Sequence, residues 1–75
     1  MIVHILYFAS LREERNCSNE TLQLEESISL VALFYKIFNR VPVGIRFAIN
    51  QSYVDGETNI QDGDEVAFLP PLGGG

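Results

Sequence analysis

Hydrophobic residues along the chain alternate or cluster in segments that predict four to five β-strands and one main helix. Residues 2–8 are rich in β-branched and aromatic types and contain no breaker, which indicates a central strand with apolar side chains on both faces. Residues 20–25 alternate in polarity, and residues 45–50 and 65–69 are further short strand segments. Residues 53–54 are predicted to form a short return strand after a tight connection.

One helix is predicted between the second and third strands. Its hydrophobic residues recur at i, i+3, i+4, i+7 and i+8, which places them on one helical face. These residues are Leu30, Leu33, Phe34, Ile37 and Phe38. We expect Ser27 to cap a helix over residues 28–38, and Asn39 and Pro42 to end it. Residues 9–16 are predicted to form a short exposed helical turn.

The order of these segments predicts an α+β fold of two layers, with one main helix packed on one face of a mixed sheet. This order resembles the ubiquitin-like β-grasp arrangement. We expect a single domain over residues 1–69, followed by a flexible tail over residues 70–75, because Pro70 and Pro71 cannot donate to a sheet. Asp62-Gly63-Asp64 is predicted to form the turn before the last strand, with a positive φ at its glycine.

The composition and net charge argue against some classes of binding partner. The chain has 75 residues, with ten acidic residues against five basic ones and a net charge of −5. Phosphate backbones require a basic patch, so we expect no nucleic-acid partner, and the same charge argues against an anionic membrane surface. No apolar run approaches the ~20 residues of a membrane helix, and the N-terminal segment lacks the pattern of a signal peptide. We therefore expect a cytoplasmic protein.

Residues of catalytic type are few. His4 is the only histidine and falls in a strand, while Cys17 is the only cysteine and falls in a loop. Neither has an implied partner for nucleophilic catalysis, and no pair of ligands has the spacing of a metal site. The acidic residues around Gly63 span too short a segment for an EF-hand loop. We expect no metal and no bound cofactor.

The last six residues carry the clearest chemical feature. Pro70 and Pro71 stiffen the exit from the last strand, and Gly73, Gly74 and Gly75 follow without Cβ atoms. A carboxylate on Gly75 could enter a narrow cleft of another protein, become an acyl-adenylate and then accept sulfur or an amine. Terminal glycines can equally be inert, and composition alone leaves both interpretations open.

A second feature lies on the predicted sheet surface. If alternate residues such as Val3 and Val66 face the helix, then Phe8 and Leu69 face away from it. These two residues would form an exposed apolar patch near the tail, bordered by Tyr53, and such patches mark protein contacts. The alternative is that they pack beneath residues 10–16.

The segment over residues 62–75 resembles the C-terminus of the MoaD family, the small sulfur-carrier subunits of molybdopterin synthase. The shared pattern is an acidic-Gly-acidic turn, an apolar strand, a Pro-Pro pair, an aliphatic residue, a variable residue and a final Gly-Gly. Residues 6–13 resemble the first strand and Arg-Glu turn of that family, and residues 48–51 resemble its third-strand segment. The resemblance spans nearly the whole chain.

The resemblance implies a cycle of sulfur transfer. An ATP-consuming activating enzyme of the MoeB type, similar to ubiquitin-activating enzymes, would adenylate the Gly75 carboxylate, and a sulfur donor would convert it to a thiocarboxylate. The tail would then enter the large, MoaE-like synthase subunit in a heterotetramer and give sulfur to cyclic pyranopterin monophosphate. Catalytic residues are expected on that large subunit.

The resemblance also assigns roles to residues of this chain. Gly73 and Gly74 would give the tail access to narrow active sites. The residues implied in partner binding are Phe8, Tyr53, Leu69, Pro70, Pro71 and Leu72. Tyr53 departs from the aliphatic residue that is usual there in the family.

Three other functions share these features. The thiamine sulfur carrier ThiS has the same fold and Gly-Gly end, but it lacks the Pro-Pro pair and the Phe-Ala-x-x-Arg-Glu segment seen here at residues 8–13. A ubiquitin-like modifier would join the same carboxylate to lysines, so sequence discriminates it poorly. A pure interaction module would leave the glycines inert.

Overall fold

A computed structural model describes residues 1–71 of the chain. The elements in chain order are β1 (Ile2–Tyr7), α1 (Ala9–Arg15), β2 (Asn19–Gln23), α2 (Leu30–Phe38), β3 (Arg46–Ile49), β4 (Ser52–Val54) and β5 (Glu65–Leu69). The predicted strands agree with these bounds to within two residues. The predicted tail residues Leu72, Gly73, Gly74 and Gly75 lie outside the described residues. No helix of the described part is long and apolar enough to cross a membrane.

The five strands form one mixed sheet in the order β2-β1-β5-β3-β4. The central strands β1 and β5 run parallel, and the other neighbouring pairs run antiparallel. The helix α2 packs on one face of this sheet, which confirms the predicted two-layer α+β arrangement. The opposite face of the sheet carries the strand side chains that point away from α2.

Aromatic rings fill the space between sheet and helix. The Phe68 ring is fully buried and lies 5.3 Å from the Phe34 ring, 5.8 Å from the Phe47 ring and 6.2 Å from the Tyr7 ring, between centroids. Aromatic pairs at these separations add to the free energy gained from area burial. The core also holds Leu11, so α1 is a helix with one buried residue and not the exposed turn that the sequence predicts.

The start of α2 differs from the prediction. Ser29, and not Ser27, is the N-cap, and its hydroxyl accepts a hydrogen bond of 3.1 Å from the backbone amide of Ala32. The Ser27 hydroxyl instead donates to the carbonyl of Ile60 at 2.6 Å. Ser29 also forms an isolated β-bridge with Asn59. This bridge holds Ser29 itself in an extended conformation, with φ −74° and ψ 163°, so the helix begins at Leu30, two residues later than predicted.

The turn before β5 has the predicted conformation, with Gly63 at φ +86°. The Asp62 carboxylate accepts from the amide of Ile2 at 2.7 Å. The Asp64 carboxylate accepts from the side-chain amide of Asn50 at 3.2 Å. The two carboxylates therefore fasten the start of β5 to the start of β1 and to the β3–β4 turn.

Candidate functional site

The pairing register sets one row of side chains across the sheet face opposite α2. Tyr53 lies opposite Ala48, Ala48 opposite Ala67, and Ala67 opposite Leu6. Directly paired residues point to the same side of a sheet. Two small alanines in the middle and larger side chains at both ends therefore leave a hollow in this face.

This hollow, the sheet-face depression, has a volume of about 220 Å³. It is lined by Leu6, Phe8, Ala48, Gln51, Tyr53, Glu65, Ala67 and Leu69. Phe8 is 40% exposed and Tyr53 is 63% exposed, which are high values for aromatic side chains. The structure thus brings Phe8, Tyr53 and Leu69 together on an open apolar surface, as the sequence predicts.

The helix α1 does not cover the sheet-face depression. It begins directly after Phe8, and its buried residue Leu11 belongs to the core on the other side of the sheet. The alternative that Phe8 and Leu69 pack beneath residues 10–16 is therefore wrong.

The end of the described chain lies next to this surface. A second hollow, the exit depression, has a volume of about 320 Å³ and is lined by Arg46, Tyr53, Leu69, Pro70 and Pro71. Tyr53 and Leu69 line both depressions, which makes the apolar surface continuous with the chain exit. A Cβ atom placed on Gly44 would lie 3.7 Å from the Pro71 ring, so Pro71 runs close to the loop before β3.

Several residues that line the two depressions are not predicted from the sequence. Arg46, Ala48 and Gln51 come from β3 and its turn, and they join Leu69 only because β3 pairs with β5. Alternation along residues 45–50 separates the two faces of the strand, but it carries no information on the neighbouring strand. A prediction of strand order would be needed to find these residues.

A polar cluster occupies the opposite face of β1. The Tyr7 hydroxyl donates to Glu20 at 2.7 Å, and Arg15 donates to both carboxylate oxygens of Glu20 at 2.7 and 2.9 Å. Burial raises the pKa of Tyr7, and the Glu20 hydrogen bond adds to this rise. Desolvation pushes the pKa of Glu20 upward, but the hydrogen bonds from Tyr7 and Arg15 outweigh it and leave that pKa below its ordinary value. The cluster ties α1 to β2.

The side chains of His4 and Cys17 each contact a polar side chain of β2. His4 Nδ1 is 3.1 Å from the hydroxyl of Thr21 on the neighbouring strand, and Cys17 Sγ is 3.9 Å from a Glu20 oxygen. Across residues 1–71, no group of three or more His, Cys, Asp or Glu side chains is arranged to hold a metal ion.

Sequence comparison places the chain in a family. The profile of the ThiS family matches residues 5–75. The chain belongs to this family. A molybdopterin synthase sulfur carrier subunit of Chlamydomonas reinhardtii is 34% identical over 83 aligned positions that cover 100% of both chains. The subunit of the same name from Homo sapiens is 35% identical, with 97% of this chain and 93% of that one covered. The predicted resemblance to these sulfur carriers is confirmed.

Solved structures share the fold of the chain. SAMP1 from Haloferax volcanii superposes with a TM-score of 0.81 at 16% identity over 100% of both chains. Small archaeal modifier protein 1 from Methanosarcina acetivorans gives 0.69 at 28% identity, covering 99% and 96%. A chain in the complex of subunits 1 and 2 of the molybdopterin-converting factor from Helicobacter pylori gives 0.67 at 23% identity over 100% of both. The ThiS-family chain thus has the predicted ubiquitin-like β-grasp fold.

Proposed function

We propose that this chain is the sulfur carrier of a molybdopterin synthase and that it holds the sulfur as a thiocarboxylate on Gly75. The observation that carries the proposal is the open apolar surface of Phe8, Tyr53 and Leu69 directly beside the exit at Pro70. Exposed apolar surfaces of this kind mark protein contacts. Full-length similarity to curated sulfur carrier subunits supports it.

The proposed cycle begins on an activating enzyme of the MoeB type. A carboxylate oxygen of Gly75 attacks the α-phosphorus of ATP, and pyrophosphate leaves. Sulfide delivered by a sulfur donor then adds to the acyl carbon and displaces AMP, which leaves a thiocarboxylate. ATP is consumed on the activating enzyme, and this chain contributes the acyl group with no cofactor of its own.

Sulfur transfer takes place on the large, MoaE-like synthase subunit in a heterotetramer. The thiocarboxylate sulfur bonds to a carbon of the precursor, cyclic pyranopterin monophosphate, and displaces an oxygen substituent from that carbon. Water then cleaves the acyl–sulfur bond, which returns the Gly75 carboxylate and leaves the sulfur on the product. The residues proposed to bind the large subunit are Phe8, Tyr53, Leu69, Pro70, Pro71 and Leu72. The solved two-subunit factor from Helicobacter pylori supports such a pairing. The cytoplasmic location stays a prediction from the sequence.

Intact mass spectrometry tests the proposal. The protein is incubated with its cognate activating enzyme, ATP and a sulfur source, and we expect a mass increase that corresponds to replacement of one oxygen by sulfur. A variant that lacks Gly75 is the control and should show no increase. Absence of the exchange in the folded wild-type protein would contradict the carrier function.

Addition of the large subunit and the pyranopterin precursor tests the second half of the cycle. The thiocarboxylated protein should form molybdopterin, whereas a thiamine-pathway carrier should not. Gly74→Val is expected to abolish this transfer, because a β-branched side chain obstructs a narrow channel.

A second candidate function is that of a ubiquitin-like protein modifier. The 28% identical small archaeal modifier protein from Methanosarcina acetivorans supports it. The chemistry is the same up to the acyl-adenylate, after which a lysine amine displaces AMP and forms an amide. Conjugates of higher mass in cells, lost on deletion of Gly75, would favour the modifier over the sulfur carrier.

A further inference from the structure

Arg46 and Tyr53 form a stacked pair where the two depressions meet. Arg46 is the first residue of β3, and its Cζ atom lies 4.1 Å from the centroid of the Tyr53 ring on β4. Both residues are exposed. A guanidinium stacked on an aromatic ring keeps its charge and its outward N–H donors while its side chain loses freedom. The pair therefore holds one positive charge at a defined place beside the chain exit.

The charge of Arg46 is not used within the described domain. Arg15 forms an ion pair with Glu20, and Arg40 forms one with Glu14. In the part of the chain that the structure describes, no Asp or Glu oxygen lies within 4.0 Å of the Arg46 guanidinium. The charge of Arg46 is therefore available to a carboxylate of another molecule.

Charged residues of opposite sign lie beside the two ends of β5. Arg46 pairs with Leu69 at the exit end of β5, and Glu65 lines the depression at the other end of the same strand. Complementary charge around an apolar contact selects the orientation of docking and raises the rate of association. A partner with an acid near the exit end would bind in one orientation only.

We infer that Arg46, oriented by Tyr53, is a specificity-determining residue of the docking surface and binds a carboxylate on the protein that receives the tail. The inference rests on the proposed function, in which that protein is the large synthase subunit. A guanidinium binds a carboxylate through two parallel hydrogen bonds, which fixes geometry as well as adding attraction. The contact sets the orientation of the domain on the partner.

Calorimetric titration against the cognate large subunit tests this inference. Arg46→Gln is expected to weaken binding about fivefold, the upper range for an exposed ion pair. It should also flatten the dependence of the dissociation constant on salt concentration, since one attractive pair is lost. The matched control is Lys36→Gln, which removes the same charge from the exposed side of α2 and should change neither quantity.

Two further variants distinguish the effect of the geometry of the Arg46 guanidinium from the effect of its charge. Arg46→Lys keeps the charge but loses the planar fork, so it should restore the salt dependence and only part of the affinity. Tyr53→Leu removes the stacking surface, and Arg46→Gln should cost less affinity in that background than in the wild type. Additive losses in this pair of variants would overturn the orienting role of Tyr53.

The outcomes distinguish this inference from the proposed function. If the wild-type protein binds the large subunit and Arg46→Gln behaves like Lys36→Gln, the role of Arg46 is overturned and the sulfur-carrier function stands. If the wild-type protein does not bind the large subunit, both are overturned. Thermal unfolding of each variant verifies that a loss of affinity comes from a folded protein.

Discussion

Phe8 occupies the one position at which β1 gives way to α1. Its backbone is extended, with φ −127° and ψ 151°, and its carbonyl accepts the first hydrogen bond of the helix from Leu11 at 3.1 Å. Phe8 therefore stays on the open face of the sheet while Leu11, three residues later, enters the core. This reversal at a single residue keeps an aromatic side chain exposed next to the chain exit.

Replacement of Phe8 by aspartate tests the docking role. Phe8→Asp should reduce affinity for the large subunit by a factor of about 30, which is the loss expected for a central aromatic contact. Its effect on the free energy of unfolding should stay below about 1 kcal/mol, because the side chain is already partly in water. Calorimetry and urea unfolding measure the two quantities.

The control for this prediction is Tyr35→Asp, which introduces the same charge at an exposed aromatic residue of α2. Tyr35→Asp should leave the affinity unchanged. Unfolding of Phe8→Asp under native conditions would contradict the assignment of Phe8 to the open face.

The Glu20 carboxyl predicts a pH dependence of stability. Its folded-state pKa lies below the ordinary value of 4.5, so it stabilises the fold above that pH, and the contribution is lost as the pH falls through the folded-state pKa. Glu20→Gln should cost about 1 kcal/mol at pH 7, where Arg15 loses its charged partner. The cost should be smaller at an acidic pH that lies below the folded-state pKa of Glu20.

Urea unfolding at both pH values measures this difference. The matched variant is Glu57→Gln, at an exposed carboxylate outside the cluster, and it should change stability little at either pH. An equal cost of Glu20→Gln at pH 7 and at the acidic pH would show that the charge of Glu20 does not stabilise the fold.

Among the secondary-structure elements, the start of α2 depends on a contact with a residue distant in sequence. Two serines precede α2, and both are good N-cap residues. The β-bridge between Ser29 and Asn59 selects the second of them.

In the β3–β4 connection, Asn50 and Gln51 both adopt positive φ, at +51° and +72°, which is the conformation of a two-residue hairpin turn.

The cap of α2 can be tested by two substitutions at one site. Ser29→Ala should lower the free energy of unfolding by about 1 kcal/mol, because the amide of Ala32 loses its acceptor. Ser29→Asp should retain most of the stability, since its carboxylate can accept the same bond at the positive end of the helix. Thermal unfolding followed by circular dichroism measures both, and an equal loss would argue against capping by Ser29.

On the scale of the whole molecule, stability depends on one small core. Phe68 lies at its centre, among the rings of Tyr7, Phe34 and Phe47. Domains of this size bury only about 60% of their unfolded surface, and total stability is about 5–15 kcal/mol. The apolar surface of Phe8, Tyr53 and Leu69 can stay exposed because the core lies on the other face of the sheet.

Removal of the central ring should therefore affect the whole domain. Phe68→Ala is expected to cost about 3–5 kcal/mol, a large share of the total. Urea unfolding should remain a single transition with a lower midpoint, observed at the same denaturant concentration by fluorescence and by circular dichroism. The exposed counterpart Tyr35→Ala should cost less than about 1 kcal/mol. A cost for Phe68→Ala as small as that of Tyr35→Ala would contradict the single-core description.

Much of this arrangement follows from local patterns. Alternation in β1 and β5 places Ile5 and Val66 inside and Leu6 and Ala67 outside, and the structure confirms this division. Exposure of Phe8 also follows from this alternation, provided that nothing covers the open face. That condition depends on α1, whose buried Leu11 carried no sequence signal strong enough to place it in the core.

Local sequence patterns are sufficient to predict the strands, the main helix, the two faces of each strand and the Gly63 turn. These features depend on side-chain period and on backbone preference, which act over a few residues. The tertiary structure adds that β5 lies between β1 and β3, and this order brings Arg46, Ala48 and Gln51 to the surface formed by Phe8, Tyr53 and Leu69. Strand order arises from pairing between segments distant in sequence, and the period of a strand does not encode its neighbour.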